Sequence, residues 1–265
     1  MRNGGSITGP VVSNCQPADI YLEHDIGLEN MLIVDAGNPE LHHPDHSRNH
    51  ALIREQLGQQ LRRYPRVIML GGSHNGMYST VRGLFDANDG LPVGGINFDA
   101  HADVKDKPGV ISSGTAFGKL LREGYLQGDR LTKIGLHSNL NARKDIDFLH
   151  QQQAHIVPLA HVQKDGVEEY ASRALSRTTS AGPAFVSFDI GSCAEAFAPA
   201  VSAPNSEGFT PRQAVEAAFL VGQKEAVRLF EVVELNPHYD RDNQTARLAA
   251  TIITAYLTGV AGLLK

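Results

Sequence analysis

Apolar residues fall in short runs along the chain, and the spacing between those runs alternates between two periods. Six runs are dominated by aliphatic and β-branched residues: Met31–Val34, Arg66–Leu70, Gly94–Asp99, Leu131–Gly135, Ala184–Asp189 and Leu229–Leu235. Between them, Asn49–Arg63, Thr115–Glu123, Asp145–Gln153, Gly166–Leu175, Pro211–Gly222 and Thr245–Thr258 carry helical spacing. Several of the strand runs show little alternation, as strands covered on both faces do. Strands alternating with helices predict an α/β fold, a three-layer αβα sandwich around a mostly parallel sheet. No repeat period or low-complexity linker divides residues 1–265, so a single domain is expected. In such sheets ligands bind beyond the carboxyl ends of the strands, which directs attention to the residue after each run.

Composition narrows the classes of function. The 29 acidic and 24 basic residues give a net charge of -5, without the basic excess of a nucleic-acid footprint. The two cysteines, Cys15 and Cys193, are far apart and form no CxxC pair, which excludes a disulfide framework and a zinc ribbon. Met1 to Gly5 lacks the apolar core of a secretory signal. The most apolar stretch, Leu248 to Leu264, contains Thr251, Thr254, Tyr256, Thr258 and Gly259, and reads as a buried last helix, not a membrane span. A soluble, cytoplasmic protein with no membrane partner is expected.

The strand ends carry the chemistry. Arg66–Leu70 leads into Gly71-Gly72-Ser73-His74, a tight turn that delivers a histidine. Gly94–Phe98 leads into Asp99-Ala100-His101-Ala102-Asp103, whose three titratable residues share a face if the strand stays extended. Like charges so close repel unless a cation holds them. Ala184–Asp189 ends on a carboxylate, and Glu234 stands near the end of the last run, before Pro237. Mixed histidine and carboxylate ligands suit manganese, with zinc and iron as competitors, and shared carboxylates allow a two-metal site.

These segments resemble the ligand motifs of the ureohydrolases, the arginase, agmatinase and formimidoylglutamase family. Gly71-Gly72-Ser73-His74 resembles the GGDH turn, Asp99-Ala100-His101-Ala102-Asp103 the DAHxD strand end, Ser187-Phe188-Asp189-Ile190-Gly191 the SxDxD strand end, and Glu234-Leu235-Asn236-Pro237 the ENP element. Ser113-Gly114-Thr115-Ala116-Phe117 and Phe197 to Pro204 are similar to the formimidoylglutamase versions of their loops. The resemblance implies an amidinohydrolase that converts N-formimidoyl-L-glutamate to glutamate and formamide through a metal-bound hydroxide. It implies up to two Mn2+ ions: one held by His74, Asp99, Asp103 and Asp189, the second by Asp99, Asp189 and His101. Asp103 and Glu234 are the catalytic residues so implied, Glu234 by pairing with the substrate amidine. Thr115, Asn139, Asn141 and Arg143 are further substrate-binding candidates, and a homo-oligomer is expected by resemblance only.

The chain departs from the family pattern in two places. Gly191 occupies the position of the second aspartate of SxDxD, so the second ion is expected to bind weakly or not at all. Neither Cys193 nor Glu195 is expected to replace that ligand. The opening, Arg2 to Pro10, resembles the segment that follows the family's first strand, so that strand is expected to be missing. A catalytically decayed binding protein and a single-metal hydrolase are the alternative readings. The histidine-rich run from Leu41 to His50 matches no ligand motif and reads as a solvated loop entering a helix at Ser47 or Asn49.

Overall fold

The computed structural model describes residues 31–42 and 44–264, together with two short antiparallel strands, Ala18–Asp19 (β1) and His24–Asp25 (β2). The main sheet contains Val67–Leu70 (β3), Val93–Phe98 (β4), Leu126–Leu136 (β5), His155–Pro158 (β6), Ala184–Asp189 (β7) and Val227–Val233 (β8). Their order across the sheet is β3-β8-β7-β4-β5-β6, and every pairing is parallel. The expected α/β sandwich is the fold observed.

Helices cover both faces. On one side lie His46–Arg63 (α1), Met77–Ala87 (α2), Ala116–Arg122 (α3) and Arg143–Gln151 (α4), around a core that includes Leu61, Val81, Phe117, Leu131, Phe185 and Leu229. On the other lie Leu159–Asp165 (α5), Val167–Thr178 (α6), Pro211–Gly222 (α7) and Gln244–Ala261 (α8), around Ile96, Phe98, Val186, Phe188, Phe230 and Tyr256. Alternation along β7 therefore sends Phe185, Ser187 and Asp189 toward α1–α4, and Val186 and Phe188 toward α5–α8. That parity places the polar strand residues on the α1–α4 side.

Several expectations need correction. Met31–Val34 forms no strand: Leu32 is 80% exposed, and the segment pairs with nothing among the described residues. A strand needs a ladder partner for its backbone, and an apolar run alone does not supply one. The outer edge of β3 also has no partner among the described residues, with Leu70 72% exposed. The expected loss of an opening strand, and Cys15, fall outside the described residues. The histidine-rich run enters α1 one step earlier than expected, with Asp45 accepting from the Arg48 N–H at 2.9 Å. Five of these elements were not expected: β1, β2, β6, α2 and α5. Helix α2 buries Met77, Val81 and Leu84 at helical spacing, but Gly83 in its middle lowers helix propensity; a side chain there would meet the Arg54 carbonyl at 2.8 Å, so the glycine is what lets α2 pack closely on α1. Among the described residues, no helix is long and apolar enough to cross a membrane.

Candidate metal centre

The turn after β3 carries His74 at the start of a short 3-10 helix, fully buried, with its ring edge-on to Phe117 at 5.6 Å between centroids. Its Nε2 lies 2.9 Å from the Ser187 hydroxyl, while Nδ1 faces three carboxylates. From Nδ1 the distances are 3.2 Å to Asp103 Oδ2, 3.4 Å to Asp99 Oδ2 and 3.6 Å to Asp189 Oδ2. Asp99 follows β4 and Asp189 ends β7, neighbouring strands whose carboxyl ends lie side by side.

Asp103 arrives differently from what alternation predicts. The chain turns at Asp99, where the carboxylate Oδ1 accepts from the His101 N–H at 2.8 Å, and Asp103 takes a left-handed backbone with φ 54°. Glu234 is left-handed as well, with φ 69°. Such a conformation costs a non-glycine residue about 1–2 kcal/mol and persists where the surroundings fix it. At Glu234 those surroundings are explicit. Its N–H donates to the Gly72 carbonyl at 2.7 Å, its Oε1 accepts from the His74 N–H at 2.5 Å, and its Oε2 accepts from Ser202 at 2.9 Å.

Two overlapping groups have donor atoms close enough to share a cation: His74 with Asp99 and Asp103, and Asp99 with His101 and Asp189. The buried His74 Nδ1 and Asp99 Oδ2 make no hydrogen bond. Orphaned lone pairs in a dry site are costly unless something occupies them, and one neutral nitrogen among three carboxylate oxygens suits a divalent ion. The residues present fit a metal.

Their proton affinities record the crowding of charge. Burial raises the Asp189 carboxyl to about 7, aided by the negative charge of Asp99 and tempered by His74. Burial and then Asp99 also raise Asp103. Burial works against ionised Asp99, yet His101, Lys133 and His74 together hold it at about 2. His74 rises well above its ordinary range because Asp103, Asp189 and Asp99 outweigh its burial. In the absence of a metal, protons supply the positive charge that this cluster requires.

The remaining predicted residues sit farther from this focus. His101 is half-buried, its Nδ1 3.5 Å from Asp99 Oδ1. Thr115 is buried, with its hydroxyl accepting from the Ser112 N–H at 2.8 Å and donating to the Val110 carbonyl at 3.1 Å. Asn141 braces the turn that carries Asp99 and Asp103: its amide donates to the Ala100 carbonyl at 2.9 Å and accepts from the Ala102 N–H at 2.7 Å. Asn139 and Arg143 are exposed, and Arg143 pairs with Asp147 at 2.8 Å. Gly191 lies in a short 3-10 helix and donates its N–H to Asp189 Oδ1 at 2.7 Å. Among the described residues, neither buried Cys193 nor exposed Glu195 belongs to a metal-capable group.

Four buried polar residues near the centre went unread in the sequence: Lys133, Asn97, Glu231 and Thr80. Glu231 accepts from the Thr80 hydroxyl and stands across from Ser187 in the β7–β8 register. The available signal was a lone charge inside an apolar strand, at Lys133 within Leu131–Leu136 and at Glu231 within Leu229–Val233. A charge at such a place is retained only with a partner.

A parallel α/β sheet with a histidine and three aspartates focused at its strand ends has the donor set of a metal-binding protein. The arginase family model matches residues 11–259, and the chain belongs to that family, the metal-dependent amidinohydrolases. Among its relatives, a formimidoylglutamase from Halalkalibacterium halodurans is 26% identical over 97% of this chain and 82% of its own length. A formimidoylglutamase from Staphylococcus epidermidis is 30% identical over 83% of this chain and 70% of its own length. A variant of Trypanosoma cruzi formiminoglutamase solved with Mn2+ superposes with a TM-score of 0.84 at 26% identity, covering 92% of this chain and 80% of that one.

Proposed function

We propose that the protein hydrolyses a linear amidine, N-formimidoyl-L-glutamate, to L-glutamate and formamide. The observation that carries this reading is the convergence of His74 Nδ1 with the Oδ2 atoms of Asp99, Asp103 and Asp189, all within 3.6 Å of that nitrogen, beside Glu234. Similarity to formimidoylglutamases supports the choice of substrate. His74, Asp99, Asp103 and Asp189 would hold Mn2+, which when bound supplies Lewis acidity and lowers the pKa of water.

Glu234 is the residue aimed at the substrate cation. The His74 N–H and the Ser202 hydroxyl each occupy one lone pair of its carboxylate, which fixes the group and leaves lone pairs to accept from an amidinium. Held this way, the formimidoyl carbon faces the buried carboxylate cluster. Water adds to that carbon, the bond to the glutamate nitrogen breaks, and that nitrogen leaves with a proton as the amine. The acidic end of the substrate needs a cationic or polar partner. Asn139 and Arg143, exposed beyond β5, serve that role better than Asn141, whose amide is spent on Ala100 and Ala102.

Gly191 favours a second reading, in which the centre holds one ion, or binds its ligand without turnover. The position offers no donor beyond its backbone, so the second metal position keeps only Asp99, His101 and Asp189. Formamide release from N-formimidoyl-L-glutamate, measured on folded protein across a range of Mn2+ together with the number of ions bound per chain, decides between the readings. Turnover is expected. No formamide at any Mn2+ concentration would leave a binding protein.

A further inference from the structure

Four polar side chains stand in register across the middle of the sheet, on the face toward α1–α4. Lys133 on β5 pairs with Asn97 on β4, Asn97 with Ser187 on β7, and Ser187 with Glu231 on β8. All four are fully buried. A charge in such a row is costly unless something answers it. Glu231, at one end, is answered by the Thr80 hydroxyl, and lies on the Nε2 side of His74, beyond Ser187.

Lys133, at the other end, is answered differently. Its ammonium donates to the Asn97 amide oxygen and lies 3.7 Å over the Phe117 ring. The Asn97 amide is itself fixed, donating to the Ser187 carbonyl at 3.2 Å. The nearest carboxylate oxygen in ion-pair range is Asp99 Oδ2 at 3.9 Å, the same oxygen that has no hydrogen-bond partner. Burial lowers the proton affinity of Lys133, and Asp99, Asp103 and Asp189 work against that loss by favouring the charged form. Lys133 thus stands behind the metal ligands, anchored by a strand and unable to swing to solvent.

The charges in this site balance at one ion. Among the groups that face the metal position, Asp99, Asp103 and Asp189 contribute three negative charges and Lys133 one positive charge, which a single divalent cation brings to zero. Glu231 lies on the far side of His74, where burial favours its neutral form, and stands outside this balance. A second divalent cation would leave two positive charges in excess in a buried site. Gly191 supplies no carboxylate against them, and Glu234 faces the substrate amidinium in the reading above. Water screens charge poorly in such a place, so the imbalance is felt strongly.

We propose that Lys133 is the resident counter-ion of the metal centre, its ammonium standing in for a second divalent cation so that the protein holds one Mn2+ tightly. This rests on the metal-centre reading above. It assigns Lys133 no contact with substrate; the residue sets how many ions the ligands retain and how strongly.

The test is Mn2+ binding to metal-free full-length protein, by competition with a chelating dye and by native mass spectrometry, on wild type, Lys133→Met and Lys133→Gln. Wild type should hold one ion tightly. Both neutral variants should bind their first Mn2+ on the order of tenfold tighter and take up a second. A merely supporting lysine predicts the opposite direction, because losing it would loosen the ligands. Equal or weaker binding in variants that keep the wild-type circular dichroism spectrum overturns the proposal. Should both variants fail to fold, wild type still decides, since two tightly held ions overturn it. Wild type that binds no Mn2+ at all would instead remove the metal-centre reading on which the proposal stands.

Discussion

The geometry of the carboxylate cluster depends on single side chains around it. Ser187 is one. Its hydroxyl, 2.9 Å from His74 Nε2, occupies that nitrogen and leaves Nδ1 to the carboxylates. Partners of this kind fix ring orientation and tautomer, and their loss typically weakens metal binding about 10–100-fold. Ser187→Ala should fall in that range by dye competition, with the fold unchanged; undiminished affinity would show that packing against Phe117 alone orients the ring. Gly191 is the reverse case, a place where a side chain is missing. A Cβ there would meet Asp189 Oδ1 at 3.0 Å and Val201 at 3.7 Å, contacts that a small shift of the Asp189 carboxylate relieves. Gly191→Asp should therefore fold and take up a second Mn2+, weaker than the first while Lys133 remains. Isothermal titration that finds one ion in the variant would mean that the second position lacks more than this carboxylate.

At the scale of elements, legibility followed local chemistry. Helix α7 begins and ends where its sequence says, because Thr210 and Gln213 cap each other and Pro211 occupies the first turn. Strand β7, Ala184–Asp189, is equally plain, an apolar run ending on a carboxylate. Helix α2 buries Met77, Val81 and Leu84 at helical spacing, but the glycine in its middle and the short 3-10 turn before it obscure that pattern. Helices α1 and α2 approach through Gly58 and Gly83, and a Cβ on Gly83 would also meet the Gly58 nitrogen at 3.1 Å. Gly83→Ala improves helix propensity yet overpacks this contact, at about 1–3 kcal/mol. Chemical denaturation should show net destabilisation; a stabilised variant would mean that α1 slides to accommodate the methyl group. The site divides along the same line. The ligand motifs were visible as residues, but the left-handed turn that carries Asp103 to His74 was not. Nor was the polar row that ends at Lys133, which takes shape only when four strands lie in register.

For the whole molecule, the crowded charge makes the stability of the metal-free protein fall as pH rises. Without metal, Asp189 rises from 3.8 to about 7 and Glu231 from 4.5 to about 7, both chiefly by burial. A carboxyl whose folded pKa is raised binds more protons folded than unfolded between the two values, so stability falls as pH rises through that window. His74 and His101, raised by their carboxylate neighbours, act in the same sense. His50 and His155, lowered chiefly by burial, oppose it below their ordinary 6.5, and Lys133, also lowered chiefly by burial, opposes it toward higher pH. Asp99, held at about 2, loses its contribution only at far lower pH. Metal-free protein should thus be less stable at pH 8 than at pH 5, by at least about 1 kcal/mol, or about 2–4 °C in Tm for a chain of this size. Mn2+ should reverse the slope, because the ion competes with these protons and binds more tightly as they leave. Scanning calorimetry from pH 5 to 8, with chelator and with Mn2+, reads both slopes. A chelated sample that gains stability toward pH 8 would show that the cluster does not hold protons in place of the ion, and that its carboxylates are kept apart by something other than charge exchange.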